Sequence, residues 1–384
     1  MRDFRQDIAG YQEIKQEVEI CRKYGTDYLA QKGRRAEVIN RLHPRQLQLK
    51  VAEMMVETPS TTTLRLVARA GKLPPFQAGQ YINLQLEING MRTSRPYSIS
   101  SSPRQTAYYD ITVRRIKNGF VSDYLLDQIK VGDFLASSGP AGNFYYNPLF
   151  HGNDLLFLAG GSGITPFMSM IRETIDLGIE KEIHLFYGSQ NDEELIFHDE
   201  LIKTASRHAN FHYYPVLEAS AANYKGLQGL ISVDLIKGIL GNTKLDSIYI
   251  CGPQAMYANL IPQLETLGVP RRRIRREILA AAADISAEAG WPQEIKRETE
   301  FSVQIAGKKT ISAKAGEPLL TALERANMIV PSLCRSGECS LCRVQLLAGK
   351  VFQAPGVLLR ESDKKYGYIH SCKAYPIENL EIRL

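Results

Sequence analysis

Three cysteines close together, Cys334, Cys339 and Cys342, and a fourth, Cys372, separated from them by 29 intervening residues, constrain this 384-residue chain more than any other feature. A C-x4-C-x2-C triplet with a remote fourth thiol is the plant-type spacing for a [2Fe–2S] cluster, in which one tight loop supplies three thiolates and a distant segment the last. The loop must wrap closely enough for backbone N–H groups to approach sulfur. Gly337 and the small Ser336 and Ser340 suit that approach. Structural zinc usually uses paired short spacings, and that weighs against zinc here. Inert buried thiols are the other alternative. Six cysteines in the whole chain are too sparse for a disulfide scaffold. Soft thiolates kept reduced point to the cytoplasm.

The flanking sequence supports this reading. Phe301-Ser-Val-Gln-Ile305 and Lys309-Thr-Ile-Ser-Ala313 alternate on either side of Gly307, which predicts a hairpin. Pro318 to Asn327 has helical spacing through Leu319, Leu320, Leu323 and Ala326, and 343–347 and 380–384 read as strands. Residues 299–384 resemble the β-grasp ferredoxin domain, and the resemblance makes Cys334, Cys339, Cys342 and Cys372 the cluster ligands.

Residues 46–148 are rich in short alternating segments, at 46–51, 63–67, 81–86 and 109–113, which predicts a small β-barrel. Within them lies Arg95-Pro-Tyr97-Ser98: an arginine to neutralise phosphate, a tyrosine to stack on a flat ring, a hydroxyl to reach a ring nitrogen. Then follows Gly119-Phe-Val121-Ser122-Asp-Tyr-Leu125, a glycine turn into a helix whose free N–H groups suit a pyrophosphate. Together these resemble the R-x-Y-S and G-x-V-S-x-x-L motifs of the ferredoxin–NADP reductase superfamily. The resemblance makes Arg95 a phosphate contact, Tyr97 a ring-stacking residue and Ser98 a neighbour of flavin N5. It turns Gly119, Val121 and Ser122 toward the pyrophosphate. The second motif favours FAD, with FMN as the alternative.

Asp154-Leu-Leu-Phe-Leu-Ala159 predicts a buried strand running into Gly160-Gly161-Ser-Gly163-Ile-Thr165-Pro166. Thr165 reads as a helix N-cap and Pro166 as the first helical residue. Strand, glycine turn and helix N-terminus make a dinucleotide phosphate site. The turn departs from G-x-G-x-x-G but resembles the superfamily's G-G-x-G-I-T-P. Further strands are expected at 182–187, 211–217 and 247–251. The last ends in Cys251-Gly252-Pro253-Gln-Ala-Met256, which resembles C-G-P-x-x-M, with the cysteine beside the reacting nicotinamide. Glu277, after Arg273-Ile-Arg-Arg, resembles the acidic residue of the superfamily's tail, although Arg275 stands where histidine is expected. Gln190 and the acidic Asp192, Glu193 and Glu194 suit a ribose hydroxyl better than a 2′-phosphate, which favours NADH over NADPH.

The expected architecture is multidomain, β and α/β. A helical extension (1–45) precedes a flavin-binding β-barrel (46–148) and a Rossmann-like NAD(P)-binding α/β domain (149–282). A linker (283–298) then leads to the ferredoxin domain (299–384). Tyr11, Ile14, Val18 and Cys21 give the extension helical spacing. No apolar run approaches the roughly 18–20 residues of a transmembrane segment, and no secretory signal opens the chain.

Formal net charge is +6, and residues 299–384 alone carry twelve Lys plus Arg against eight Asp plus Glu. Without a nucleic-acid module, the basic run around Arg271–Arg276 does not argue for nucleic acid. The domain order resembles oxygenase reductases of the phenylacetyl-CoA epoxidase and phthalate dioxygenase type, and the reductase of the hybrid cluster protein. The resemblance implies an enzyme passing electrons from NAD(P)H through FAD and [2Fe–2S] to a protein acceptor, an oxygenase component or another redox enzyme. In this scheme Ser98, Cys251 and Glu277 surround the hydride step. The alternative is a non-catalytic electron-relay or redox-sensing subunit of a larger complex.

Overall fold

The computed structural model describes all residues except 1–9, 26–32, 43, 45, 148, 179, 220–223, 242, 244, 278–283 and 354–355. It divides into two units, residues 1–45 and 46–384. In the first, α1 (Tyr11–Tyr24) and α2 (Arg34–Leu42) are amphipathic helices, and no residue of α1 is buried. The helical spacing through Tyr11 and Cys21 is thus met by α1.

The second unit opens with six strands: β1 (Leu47–Thr58), β2 (Thr61–Ala68), β3 (Tyr81–Ile88), β4 (Met91–Ser98), β5 (Tyr109–Arg114) and β6 (Phe134–Ser137). They form one antiparallel sheet in the order β4-β3-β6-β1-β2-β5. A bridge between Ile99 and Ile111 joins its ends into a barrel. Alternation drives this closure. Leu49, Leu64, Leu66, Ile82, Leu84 and Ile111 all point inward and are fully buried. Helix α3 (Phe120–Asp127) caps the barrel with Val121 and Leu125.

Next comes a parallel sheet of β7 (Asp154–Gly160), β8 (Glu182–Ser189), β9 (Phe211–Leu217), β10 (Leu227–Gln228), β11 (Ser247–Cys251) and β12 (Ile274–Glu277), in the order β10-β9-β8-β7-β11-β12. Helices α4 (Ile164–Leu177), α5 (His198–Arg207), α6 (Val233–Leu240) and α7 (Gln254–Thr266) connect its strands. Its strands are near-continuous apolar runs because both faces are covered. The sequence missed β12, whose arginines hide its strand character.

The carboxy-terminal domain has β13 (Glu300–Ile305), β14 (Thr310–Lys314), α8 (Leu319–Arg325), β15 (Arg343–Ala348), β16 (Val351–Gln353), α9 (Glu361–Lys365), β17 (Tyr368–His370), β18 (Ala374–Pro376) and β19 (Leu380–Arg383). Its five-stranded sheet, β14-β13-β19-β15-β17, packs on α8 through Leu319, Leu320 and Leu323. The segment expected as a linker is partly built into this domain. Trp291 is 5% exposed, lies edge-on to Phe352 and Tyr375, and donates its indole N–H to Ile295 O at 3.1 Å. Ala283, where that segment was expected to begin, falls outside the described residues.

Candidate functional site

The cluster loop runs from α8 to β15. Arg335, Gly337 and Ser340 all adopt positive φ (52°, 83° and 59°), which winds the chain tightly around the thiols. A Cβ on Gly337 would press against Lys373 and Val357 at 3.2–3.3 Å. The N–H groups of Ser336 and Cys339 donate to Cys334 Sγ, each at 3.4 Å. Cys334, Cys342 and Cys372 are buried, and Cys339 is half-buried.

The thiols pair two by two, Cys334 with Cys339 and Cys342 with Cys372. Among the described residues, no three of the four have sulfur atoms that all lie within 4.8 Å of one another. A single tetrahedral ion would draw all four together, whereas two pairs fit two irons bridged by sulfide. The donor set therefore fits [2Fe–2S]. Two residues that the sequence did not single out fasten the remote ligand: His370 Nδ1 contacts Gly337 O at 2.9 Å, and Ser371 donates to Cys342 O at 2.8 Å.

On the barrel, β4 carries Arg95, Tyr97 and Ser98. Tyr97 packs against the barrel core, and burial pushes its hydroxyl pKa up. Arg95 donates to Thr93 Oγ1 (2.9 Å) and Ser94 O (2.7 Å), and burial lowers its pKa to about 10. Gly119 is the α3 N-cap, and a Cβ there would sit 2.1 Å from Ser122 Oγ. Ser122 uses that oxygen to accept from Ile116 N–H at 3.1 Å, so it closes the turn that aims the first N–H groups of α3 outward. Val121 is buried in the barrel core.

In the parallel sheet, Gly160 and Gly163 pack against the β11 loop, and Gly161 packs against Arg114 of β5. A Cβ on Gly163 would meet Cys251 O at 2.1 Å, and one on Gly160 would meet Pro253 Cδ at 2.7 Å. Gly252 is as tight, its Cβ position lying 2.7 Å from Met256 Sδ. One expectation is corrected here. Thr165 is not the N-cap: α4 begins at Ile164 with Gly163 as its cap, so Pro166 is the third helical residue. The turn Gly161–Gly163 feeds directly into α4, and Thr165 Oγ1 donates to Ser162 O at 2.8 Å. A proline is tolerated within this first turn because N–H groups there have no intrahelical partner.

These pieces converge. Tyr81 on β3 is in register with Ser98 on β4. Ser98 hydrogen-bonds the Glu277 carboxyl, and Glu277 on β12 is in register with Cys251 on β11. Tyr257 bonds the Cys251 side chain, receives Gly252 N–H at 2.9 Å and donates to Glu277 O. Cys251 and Glu277 are both buried, and desolvation pushes the pKa of each well up. Cys334, Cys339, Glu277 and Glu338 act together on Tyr81, whose hydroxyl is pushed up by burial and these negative neighbours. The cluster loop thus lies at the meeting point of Ser98, Glu277 and Cys251. Glu194 is tied to the barrel. It accepts from Thr58 at 3.2 Å and from Ser60, and lies 3.9 Å from Arg114, which leaves Asp192 and Glu193 exposed.

The fold and site define a pyridine-nucleotide-linked flavin and iron–sulfur oxidoreductase. Models of known families agree: an oxidoreductase FAD-binding domain matches residues 46–146, an oxidoreductase NAD-binding domain 157–260, and a 2Fe-2S iron-sulfur cluster binding domain 303–376. The chain is 34% identical over 311 residues to the heme-dependent oxidative N-demethylase beta subunit of Ectopseudomonas mendocina, covering 79% of this chain and 88% of that protein. It is 29% identical over 340 residues to the glycine betaine monooxygenase reductase subunit of Pseudomonas aeruginosa, covering 85% and 92%. Among solved structures, phthalate dioxygenase reductase superimposes with a TM-score of 0.66 at 25% identity, covering 88% of this chain and 98% of that one. The chain belongs to the ferredoxin reductase family that joins FAD-binding, NAD-binding and [2Fe–2S] domains, and it is an NAD(P)H oxidoreductase. No helix among the described residues is long and apolar enough to cross a membrane.

Proposed function

We propose that this chain is the reductase component of an oxygenase or a similar redox enzyme, taking electrons from NADH and delivering them singly to a protein acceptor in the cytoplasm. The convergence of Ser98, Glu277 and Cys251 with the Cys334–Cys339 side of the cluster loop carries this reading. The relatives named as monooxygenase and dioxygenase reductases support the choice of acceptor class. When bound, FAD and the cluster supply the redox chemistry, and the protein supplies position and electrostatics.

The residues divide that work. Tyr97 would stack on the flavin ring, Arg95 would neutralise its phosphate, and Gly119, Val121 and Ser122 would shape the turn over the pyrophosphate. Gly160, Gly161, Gly163, Thr165, Pro166, Gly252 and Pro253 would hold the nicotinamide dinucleotide. Cys251 would lie against the nicotinamide, and Ser98 and Glu277 would border the hydride path. Cys334, Cys339, Cys342 and Cys372 would bind the cluster. Exposed Asp192 and Glu193 support NADH, because a 2′-phosphate would meet negative charge.

Stopped-flow mixing of the holoenzyme with NADH tests the reading. Flavin bleaching should precede cluster bleaching, and both should precede reduction of the acceptor that co-purifies. Steady-state comparison tests the nucleotide. A larger kcat/KM with NADPH would overturn the preference.

A further inference from the structure

The amino ends of the parallel strands lie opposite the dinucleotide end and carry a cluster that the redox function does not use. Glu182 opens β8, and His184 follows two residues later on the same face. The parallel register sets His184 directly beside His212 on β9, and Asp154 of β7 beside Glu182. The imidazoles stack with centroids 4.7 Å apart and planes 13° apart. Glu182 Oε1 lies 2.5 Å from His212 Nε2 and 3.7 Å from His184 Nε2.

Stacking alone would be satisfied by a packed aromatic column, and Tyr214 and Phe186 do continue the stack. Three observations go further. First, among the described residues this is the group of three His, Cys, Asp or Glu side chains whose ligand atoms all lie within 4.8 Å of one another. Second, His184 is 6% exposed, and its Nε2, the atom nearest the carboxylate, has no hydrogen-bond partner. A buried imidazole nitrogen without a partner is costly unless something coordinates it. Third, the carboxylate of Glu182 borders a cleft of about 580 Å³, and the Glu182 and His212 side chains are 38% and 35% exposed, so solvent reaches both. The one nearby ammonium does not fill the gap: Lys181 sits over the Tyr146 ring at 3.6 Å.

We propose that Glu182, His184 and His212 form a binding site for a borderline first-row divalent cation of the Zn²⁺ class. Two imidazoles and one carboxylate suit such ions, and water entering from the cleft completes the coordination. The ion ties β8 to β9 and takes no part in electron transfer, because it sits at the end of the sheet away from Gly163 and Cys251.

The test uses holoenzyme with flavin and cluster in place, stripped of loose metal by a brief chelator wash. Zn²⁺ titrated by calorimetry should bind with one equivalent, and saturation should raise the Tm. His212→Ala and the isosteric Glu182→Gln should each weaken binding by about tenfold or more, with unchanged flavin and cluster spectra. Co²⁺ should give weak ligand-field bands without the intense thiolate charge-transfer absorption expected if Cys251 or Cys21 were the ligand. No uptake by wild type would overturn the proposal. So would uptake unchanged in both variants, or a thiolate spectrum with Co²⁺.

Discussion

The barrel meets its two neighbours through junctions of opposite character. Toward the parallel sheet it shares one apolar core: Ala78 and Phe144 belong to the same buried cluster as Phe157, Phe167, Met170 and Tyr249. Gly79, at φ +100°, has no room for a side chain, since a Cβ would meet Phe144 O at 2.0 Å and Met170 Cε at 2.5 Å. Polar ties such as Ser169 to Ser101 O (2.7 Å) and Arg172 to Ser100 O (2.8 Å) only add to this fused interior.

Toward the ferredoxin domain, the barrel's side-chain hydrogen bonds among the described residues set the junction's polar character. Asn83 donates to Ser332 O (2.8 Å), Ser94 contacts the Ser332 hydroxyl (3.0 Å), and Thr93 donates to Glu324 (3.0 Å). Glu324 pairs in turn with Arg335, the residue after the first cluster ligand, and both are buried. The ferredoxin core cluster contains no barrel residue among those described. Fused cores move together, while polar junctions resemble transient interfaces. The barrel and the parallel sheet thus share one interior, whereas the cluster domain keeps its own core and is tied to the barrel by polar contacts.

This contrast can be broken experimentally. The largest effect is expected from Cys339→Ser: the cluster and all cluster-dependent transfer should vanish, while flavin reduction by NADH, followed in a stopped-flow instrument, persists. Flavin reduction that fails with the cluster would mean the two junctions are not independent. In the fused core, Phe167→Ala should cost about 3–5 kcal/mol. Denaturant unfolding should then report loss of barrel and parallel sheet in one transition.

At the polar junction, Glu324→Ala leaves Arg335 buried without its partner and should cost about 2 kcal/mol or more. Cluster reduction should slow, with NADH-to-flavin transfer retained. Ser94→Ala, removing a single hydroxyl contact, should cost about 1 kcal/mol.

The smallest expected effect is a pH dependence. His151 accepts hydrogen bonds from Asn147 N–H (2.9 Å) and Tyr249 (2.5 Å), and burial together with Arg275 lowers its pKa to about 4. The unfolded chain takes up this proton near pH 6.5 and the folded chain only near 4, so stability should fall as pH drops through that window. His151→Gln should flatten the fall in Tm between pH 6.5 and 4.

Much of the candidate site was legible because its chemistry is local. The cluster spacing, Arg95 to Ser98, and the Gly160 and Cys251 turns are each read within one short segment, where the demand for close backbone approach leaves glycine or a thiol in plain view. The helix start at Gly163 was misplaced because Thr165 has the right chemistry for a cap, but the three-residue turn before it was not legible. Tyr81, Tyr257, Glu324 and His370 carried no signal, since each matters only through a partner far away in sequence.

The sequence by itself therefore determined which cofactors this protein is built to hold, because thiol spacing and glycine turns encode ligand geometry over a few residues. Only the tertiary structure decided how the stations meet. Register pairing across strands sets Ser98 by Tyr81 and Cys251 by Glu277, and burial pushes the Glu277 pKa up. Packing likewise made one barrel junction apolar and the other polar. Such effects come from long-range contacts, and these exist only once the chain has folded.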